Sequence, residues 1–155
     1  MRKPNNSGKM ICCLWSVILL LTAFSACEKS ENGDLDGMWM LTTMDSIQSN
    51  RSMQVRQRRI TWSFQAKLLQ FFNYNNDSWK KVIMARFNND GTHLIIFDPF
   101  IYERMDGDIP LTADSVHYLA PHCINSVPDT FDIEKLNKNS LIISDDVLRL
   151  KFEKY

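Results

Sequence analysis

The residue best placed for chemistry near the start of the chain is Cys27. Two small residues, Ser25 and Ala26, stand directly before it, and a 15-residue apolar run, Met10–Phe24, precedes them. A basic beginning, an apolar stretch and small residues at a cleavage point are the parts of an export signal, because the peptidase needs small side chains there. We therefore expect residues 1–26 to be removed and Cys27 to become the first residue of the mature chain.

The tetrad Phe24-Ser25-Ala26-Cys27 resembles the lipobox of bacterial lipoproteins, in which this cysteine carries lipid. The resemblance implies lipidation at Cys27, a membrane as partner and a location in the cell envelope, on either the periplasmic or the surface side of the outer membrane. The apolar run spans about 22 Å as a helix, whereas the hydrocarbon core is ~30 Å thick. A cleaved signal is therefore favoured over a permanent membrane helix.

Cleavage changes the composition of what remains. Three of the 18 basic residues and none of the 18 acidic ones lie in residues 1–26, so the remaining chain has a net charge of −3. Nucleic-acid binding is not predicted from this balance. Residues 27–36 are polar and acidic and are interpreted as a lipidated tether. The second cysteine of the mature chain, Cys123, is expected to be a small buried side chain.

Residues 37–155 show the period-two patterning of antiparallel strands. In the last segment, for example, Leu148, Leu150 and Phe152 alternate with charged residues. Turn residues such as Asn88-Asn89-Asp90-Gly91 separate the segments and predict hairpins. Eight strands are predicted: Met38–Met44, Ile60–Gln65, Leu68–Tyr74, Lys81–Phe87, Thr92–Phe97, Phe131–Glu134, Ser140–Ser144 and Val147–Glu153.

One short helix is predicted between strands 5 and 6. Thr112 is placed to cap its start, Val116 and Leu119 share a face, and Pro121 is placed to end it. Eight antiparallel strands without strand and helix alternation favour an all-β fold, an eight-stranded up-and-down barrel. Such a barrel is either filled by side chains or holds one small ligand.

The segment Asp34–Trp39 resembles the Gly-x-Trp opening strand of lipocalins. Residues 130–152 are similar to the closing strands of lipocalin-like lipoproteins of Gram-negative anaerobes, as is the segment that begins at Trp62. The resemblance implies a barrel whose closed end is covered by Trp39. Lipocalins usually pack an arginine on this tryptophan, and Arg149 is the candidate, although its alternation predicts an outward direction.

Aromatic side chains cluster in the first four predicted strands. The candidates for a ligand-binding interior are Trp39, Trp62, Phe64 and Phe71, since apolar cavities lined by such rings bind apolar or sugar-like molecules. The alternative is that these residues are only core.

Other chemistry has weaker support in the sequence. The spacing of His117, His122 and Cys123 does not suit a zinc site, and neither a metal nor a cofactor is predicted. No catalytic motif is recognised, so we predict a protein that is not an enzyme. Ser46 and Ser115 follow aspartate and precede an aliphatic residue, as O-glycosylation sites of some anaerobic Gram-negative envelopes do.

Three functions are compatible with these observations. The leading hypothesis is a membrane-anchored, lipocalin-like protein that binds a small apolar or amphipathic ligand or an envelope component. The alternatives are an accessory subunit of an outer-membrane assembly, and a surface inhibitor or adhesin. A hollow barrel favours the first, and a filled core with an exposed apolar patch favours the second.

Overall fold

A computed structural model of the protein describes residues 30–75 and 82–155. Cys27, the predicted signal peptide and the start of the predicted strand at Lys81 lie outside the described residues. Within the described part, no helix has the length and apolar character needed to cross a membrane. Residues 30–75 and 82–155 contain ten strands: β1 (Gly37–Ser46), β2 (Arg51–Gln54), β3 (Ile60–Gln65), β4 (Leu68–Asn73), β5 (Val82–Asn89), β6 (His93–Tyr102), β7 (Ile109–Pro110), β8 (Asp129–Asn137), β9 (Ser140–Ser144) and β10 (Leu148–Lys154).

The strands form one antiparallel sheet that closes on itself. Sheet neighbours follow the order β1, β3, β4, β5, β6, β8, β9 and β10, and β10 pairs back onto β1. The closing ladder runs from Trp39 opposite Lys154 to Ser46 opposite Leu148. These eight strands confirm the predicted all-β, eight-stranded barrel. The short strands β2 and β7 pair with β1 and β6 and were not predicted.

The predicted alternation places the apolar side chains inside the barrel. Ile60, Trp62 and Phe64 of β3 are buried, as are Leu150 and Phe152 of β10. Alternate side chains of a strand point to opposite faces, so these sets share the barrel interior. The buried apolar residues form a single core.

Asparagine and aspartate side chains organise the turns. Asp90 Oδ1 accepts hydrogen bonds from the backbone N–H groups of Thr92 and His93, at 2.8 and 2.7 Å. Gly91 follows with φ +93°, a conformation that glycine adopts without strain. Asn137 and Asp145 each accept two backbone N–H bonds in the turns before β9 and β10. Short side chains of this kind replace backbone partners in turns, which is why they separate the strands.

The predicted helix lies between the fifth and sixth barrel strands but differs from expectation. It consists of two 3₁₀ helices, Ala113–Tyr118 and Ala120–His122. Thr112 makes no side-chain cap bond, and Pro121 lies inside the second helix instead of ending the first. Proline is tolerated there because the first N–H groups of a helix have no partner within it.

Part of the segment that was predicted to be a tether packs against the barrel. Residues Gly33–Leu35 form a 3₁₀ helix, and Leu35 is fully buried against the core. Asn32 Nδ2 donates to the Ala66 carbonyl at 2.7 Å. The packed part of the chain therefore includes at least part of the segment interpreted as tether.

Candidate functional site

All four aromatic candidates lie inside the barrel. Trp39 on β1, Trp62 and Phe64 on β3 and Phe71 on β4 are each at most 3% exposed. The structure thus brings together the residues that the sequence proposed for an interior site. They fill this interior by contacting one another and other core residues.

Trp62 is the centre of this aromatic cluster. Its ring centroid lies 5.0 Å from that of Phe152, 5.5 Å from Phe71 and 6.0 Å from Phe131. The rings of Phe71 and Phe131 meet it edge to face, a favoured geometry for aromatic pairs. The indole N–H donates to the His122 carbonyl at 3.2 Å, which satisfies its buried donor.

Trp39 covers one end of the barrel, called here the closed end, where Gly33–Leu35 and the turn after β8 lie. Its Nε1 donates to the Leu35 carbonyl at 2.7 Å. The Lys154 ammonium lies 4.2 Å from the Trp39 ring centroid and donates to the Asp34 carbonyl at 2.9 Å. An ammonium over an indole face is attracted by the ring's electrons, so Lys154 holds the tryptophan and the N-terminal segment together.

Gly37 makes the approach of Lys154 possible. A Cβ at this position would lie 3.0 Å from Lys154 Cε, and the backbone φ is +113°. Both observations explain a glycine two residues before Trp39. Burial lowers the pKa of Lys154, while the carboxylates of Asp34 and Asp36 oppose that shift.

Arg149 does not contact Trp39, as its alternation predicted. Its guanidinium lies on the outer face, 2.6 Å from a Glu134 carboxylate oxygen and 3.7 Å from one of Asp45. The Arg149 hydrogen bond holds the pKa of Glu134 below its usual value. The role expected of an arginine is therefore filled by Lys154, which sequence reasoning missed.

Residues 111–124, called here the plug, cover the opposite end of the barrel, called here the mouth. Leu119, His122, Cys123 and Ile124 are buried by this packing, as is Leu111 at the start. Cys123 Sγ lies 3.7 Å from Met44 Sδ on β1. The prediction of a buried Cys123 is confirmed, and burial raises the pKa of its thiol to about 11.

His122 is the polar group buried deepest in the plug. It is 3% exposed, and its ring centroid lies 5.3 Å from that of Phe71. Among the described residues, its Nδ1 has no hydrogen-bond partner. Burial lowers the pKa of His122 to about 4, because the apolar surroundings disfavour the charged imidazolium.

Three clefts of about 530–590 Å³ lie on the described surface, and none is lined by the four aromatic candidates. One is polar and includes Asp129, whose pKa is raised by burial. The others run beside Phe87 and Phe97, and beside Phe100 and Leu111. The described clefts therefore do not reach the aromatic cluster around Trp62.

The remaining candidate residues lie apart from the interior. Ser46 ends β1 and Ser115 lies in the first plug helix, and both side chains are partly exposed. Their O-glycosylation stays a prediction. In the described part of the chain, no group of three histidine, cysteine or acidic side chains converges as a metal site would.

A closed antiparallel barrel with an apolar interior, a tryptophan across one end and a short plug at the other defines a lipocalin-like class of protein. The chain belongs to the lipocalin-like domain family, whose sequence model matches residues 20–155. No curated protein matches the sequence.

Two solved structures from Bacteroides are similar to this chain. A lipocalin-like protein from Bacteroides uniformis ATCC 8492 superposes with a TM-score of 0.58 at 18% identity, covering 79% of this chain and 100% of that one. An uncharacterized protein from Bacteroides eggerthii DSM 20697 gives a TM-score of 0.54 at 14% identity, covering 78% and 99%. At these identities the likeness shows a shared fold.

Proposed function

We propose that this protein is a lipid-anchored, non-enzymatic binding protein of the cell envelope, whose barrel takes up a small apolar or amphipathic ligand through the mouth. The observation that carries the proposal is the lipocalin-like barrel with its continuous apolar interior. That interior is filled by side chains in this structure, so ligand uptake requires that the plug move and expose part of it. The signal-like sequence before Cys27 supports anchoring at a membrane.

The packing of the interior limits the ligand in size and place. Trp62 contacts rings from several directions, and Phe64 packs edge to face on Phe87 at 5.1 Å. A ligand therefore needs the space that the plug now occupies. Movement of the plug away from the mouth would provide this space with the least rearrangement of the strands. We expect a small molecule that lies against Phe71 and Trp62 after the plug has moved.

Ligand binding is expected to quench or shift the fluorescence of Trp62. The measurement titrates residues 27–155 carrying Cys27→Ala with fatty acids, sterols and short glycans, and calorimetry provides an affinity independent of fluorescence. The Trp62→Phe variant is the control, because it keeps an aromatic ring but loses the reporter. If no class binds more tightly than about 1 mM, which corresponds to ~4 kcal/mol, the binding proposal is wrong.

A second function, an accessory subunit of an outer-membrane assembly, is favoured by a different observation. The interior is filled, and large apolar side chains beside the mouth are exposed, with Met105 at 87% and Ile109 at 52%. Exposed apolar clusters mark contact sites in many proteins. Failure of every ligand class, together with crosslinking of a partner through a photoreactive group at position 105, would favour this function.

The Cys27→Ala variant is expected to lose all lipid labelling. A thiol is the attachment point in the proposed modification, and alanine has none. The measurement follows radiolabelled fatty acid into the membrane fraction of cells that express either form, with Cys123→Ala as the matched control, which should label normally. Equal labelling of the wild type and Cys27→Ala would contradict the proposed anchor.

A further inference from the structure

We propose that the plug is a proton-sensitive gate: when His122 takes up a proton, the plug shifts from a closed to an open position and uncovers Trp62 and Phe71. The open position is the one that a ligand entering by the mouth requires. The gate can be tested without any ligand, so it stands or falls separately from the binding function.

The surroundings of the imidazole favour its neutral form. The ring packs on Phe71, and the residue's own carbonyl is held by the Trp62 indole N–H. Nδ1 has no partner among the described residues. An imidazolium with an unpaired N–H in an apolar site is disfavoured, so a proton on His122 favours an arrangement that lets water reach Nδ1.

The charged groups around the plug do not offset this cost. β4, which packs against Ala120–His122, has no ionisable side chain, and β3 contributes Trp62 at this point. The first plug helix packs on the second and carries Asp114, His117 and Tyr118. Arg58 and Asp145 act on the neighbouring Cys123 thiol, and burial alone accounts for the shift at His122.

The plug is attached to the barrel by buried side chains and a few hydrogen bonds, without pairing in the sheet. Neither 3₁₀ helix has a side-chain cap, and such helices have poorer hydrogen-bond geometry than α-helices. Its ends are tied to the barrel: the Leu111 N–H donates to the Pro99 carbonyl at 2.7 Å, and Asp129 accepts from the Asn125 N–H at 2.9 Å. Segments outside the strand ladders can open locally without unfolding of the whole domain.

The direction of the effect follows from proton linkage. A histidine open to water has a pKa near 6.5, and burial lowers the pKa of His122 to about 4 in the closed form. Between pH 6.5 and pH 4 the open form binds one more proton than the closed form. The equilibrium constant for opening therefore rises about tenfold for each unit by which the pH falls. Asp129 acts in the opposite sense, because burial raises its pKa and acid therefore favours its buried form.

The test measures how well the plug protects Cys123. The full chain in detergent micelles is treated with 4,4′-dithiodipyridine, a thiol reagent that works in acid, and labelling of the Cys123 peptide is followed by mass spectrometry. Dividing the rate in denaturant by the native rate at each pH gives a protection factor. We expect this factor to fall by about two orders of magnitude from pH 6.5 to pH 4.

Two variants separate His122 from other acid effects. In His122→Phe the protection factor should change less than about threefold over this range, since no proton is taken up at the site. His117→Gln, which removes the exposed histidine of the plug, should behave as the wild type. If His122→Phe does not fold, as judged by circular dichroism, His122→Gln replaces it.

Three results would overturn the gate. The first is a protection factor that does not change with pH in the wild type, and the second is the same acid loss in the wild type and in the folded His122 variant. The third comes from amide exchange in β9 (Ser140–Ser144): loss of protection there in parallel with Cys123 would mean global unfolding and no separate movement of the plug.

Discussion

Replacing Trp39 with alanine is expected to lower the free energy of unfolding by about 3–5 kcal/mol, the range for removing a large buried aromatic side chain. Trp39 is fully buried at the closed end, and its indole N–H holds the Leu35 carbonyl. The truncation therefore leaves a cavity, frees a buried carbonyl and removes the surface on which Lys154 lies. Chemical denaturation followed by circular dichroism measures the change.

Two variants, Lys154→Met and Arg149→Ala, serve as controls for this prediction. Lys154→Met keeps the length of the stem but removes the charge over the indole, and should cost about 1–2 kcal/mol. Arg149→Ala should cost less than about 1 kcal/mol, because its ion pairs with Glu134 and Asp45 are partly exposed. A loss below about 1 kcal/mol for Trp39→Ala would mean that this tryptophan does not close the barrel.

The strands were predictable because their large apolar side chains recur with a period of two. In β3 and β10 a single period of two separates inward apolar residues from outward polar ones, so the pattern alone defines the segment and its orientation. The hairpin turns were equally predictable, since asparagine, aspartate and glycine accept the backbone conformations that tight turns require. Closure of the sheet then followed from strand number and the lack of intervening helices.

Lys154 shows a signal that was present in the sequence and was not used. It has the same parity as Leu148, Leu150 and Phe152, so the alternation of β10 already directs it inward, whereas Arg149 is directed outward. The expectation of an arginine drew attention to the wrong residue. The ammonium of a lysine that points inward needs partners. Here the Trp39 indole and the carbonyls of Asp34 and Asp36 provide them.

The plug was only partly predictable. Thr112 and Pro121 carry end signals of an α-helix, but the segment packs across the mouth as two short 3₁₀ turns. Its form depends on tertiary contacts with Phe71, Trp62 and Met44, which are distant in sequence. Local propensity is a weak guide where such contacts determine the backbone.

The candidate site illustrates a further limit. Alternation placed Trp62 and Phe64 on the inner face, and all four aromatic candidates are buried, but a pattern of inward residues does not state how they pack. Whether rings from opposite strands meet or leave a cavity depends on barrel radius and side-chain rotamers. Here they meet, which makes the central tryptophan a stability determinant as well as a candidate ligand contact.

Trp62→Ala is accordingly expected to cost about 3–5 kcal/mol and to loosen the mouth at the same time. The substitution removes the ring that contacts Phe71, Phe131 and Phe152, and it removes the donor that holds the His122 carbonyl. Denaturation measures the first effect. Labelling of Cys123 at pH 7 measures the second and should be faster than in the wild type.

Trp62→Phe separates these two roles of the indole. It retains an aromatic ring in the cluster, so its cost should be only about 1–2 kcal/mol, but it still lacks the N–H that binds the plug. We therefore expect Cys123 labelling to rise in Trp62→Phe while most of the stability is kept. Unchanged labelling in both variants would show that the indole hydrogen bond does not hold the plug, and its buried side chains, including His122 on Phe71, would then be its attachment.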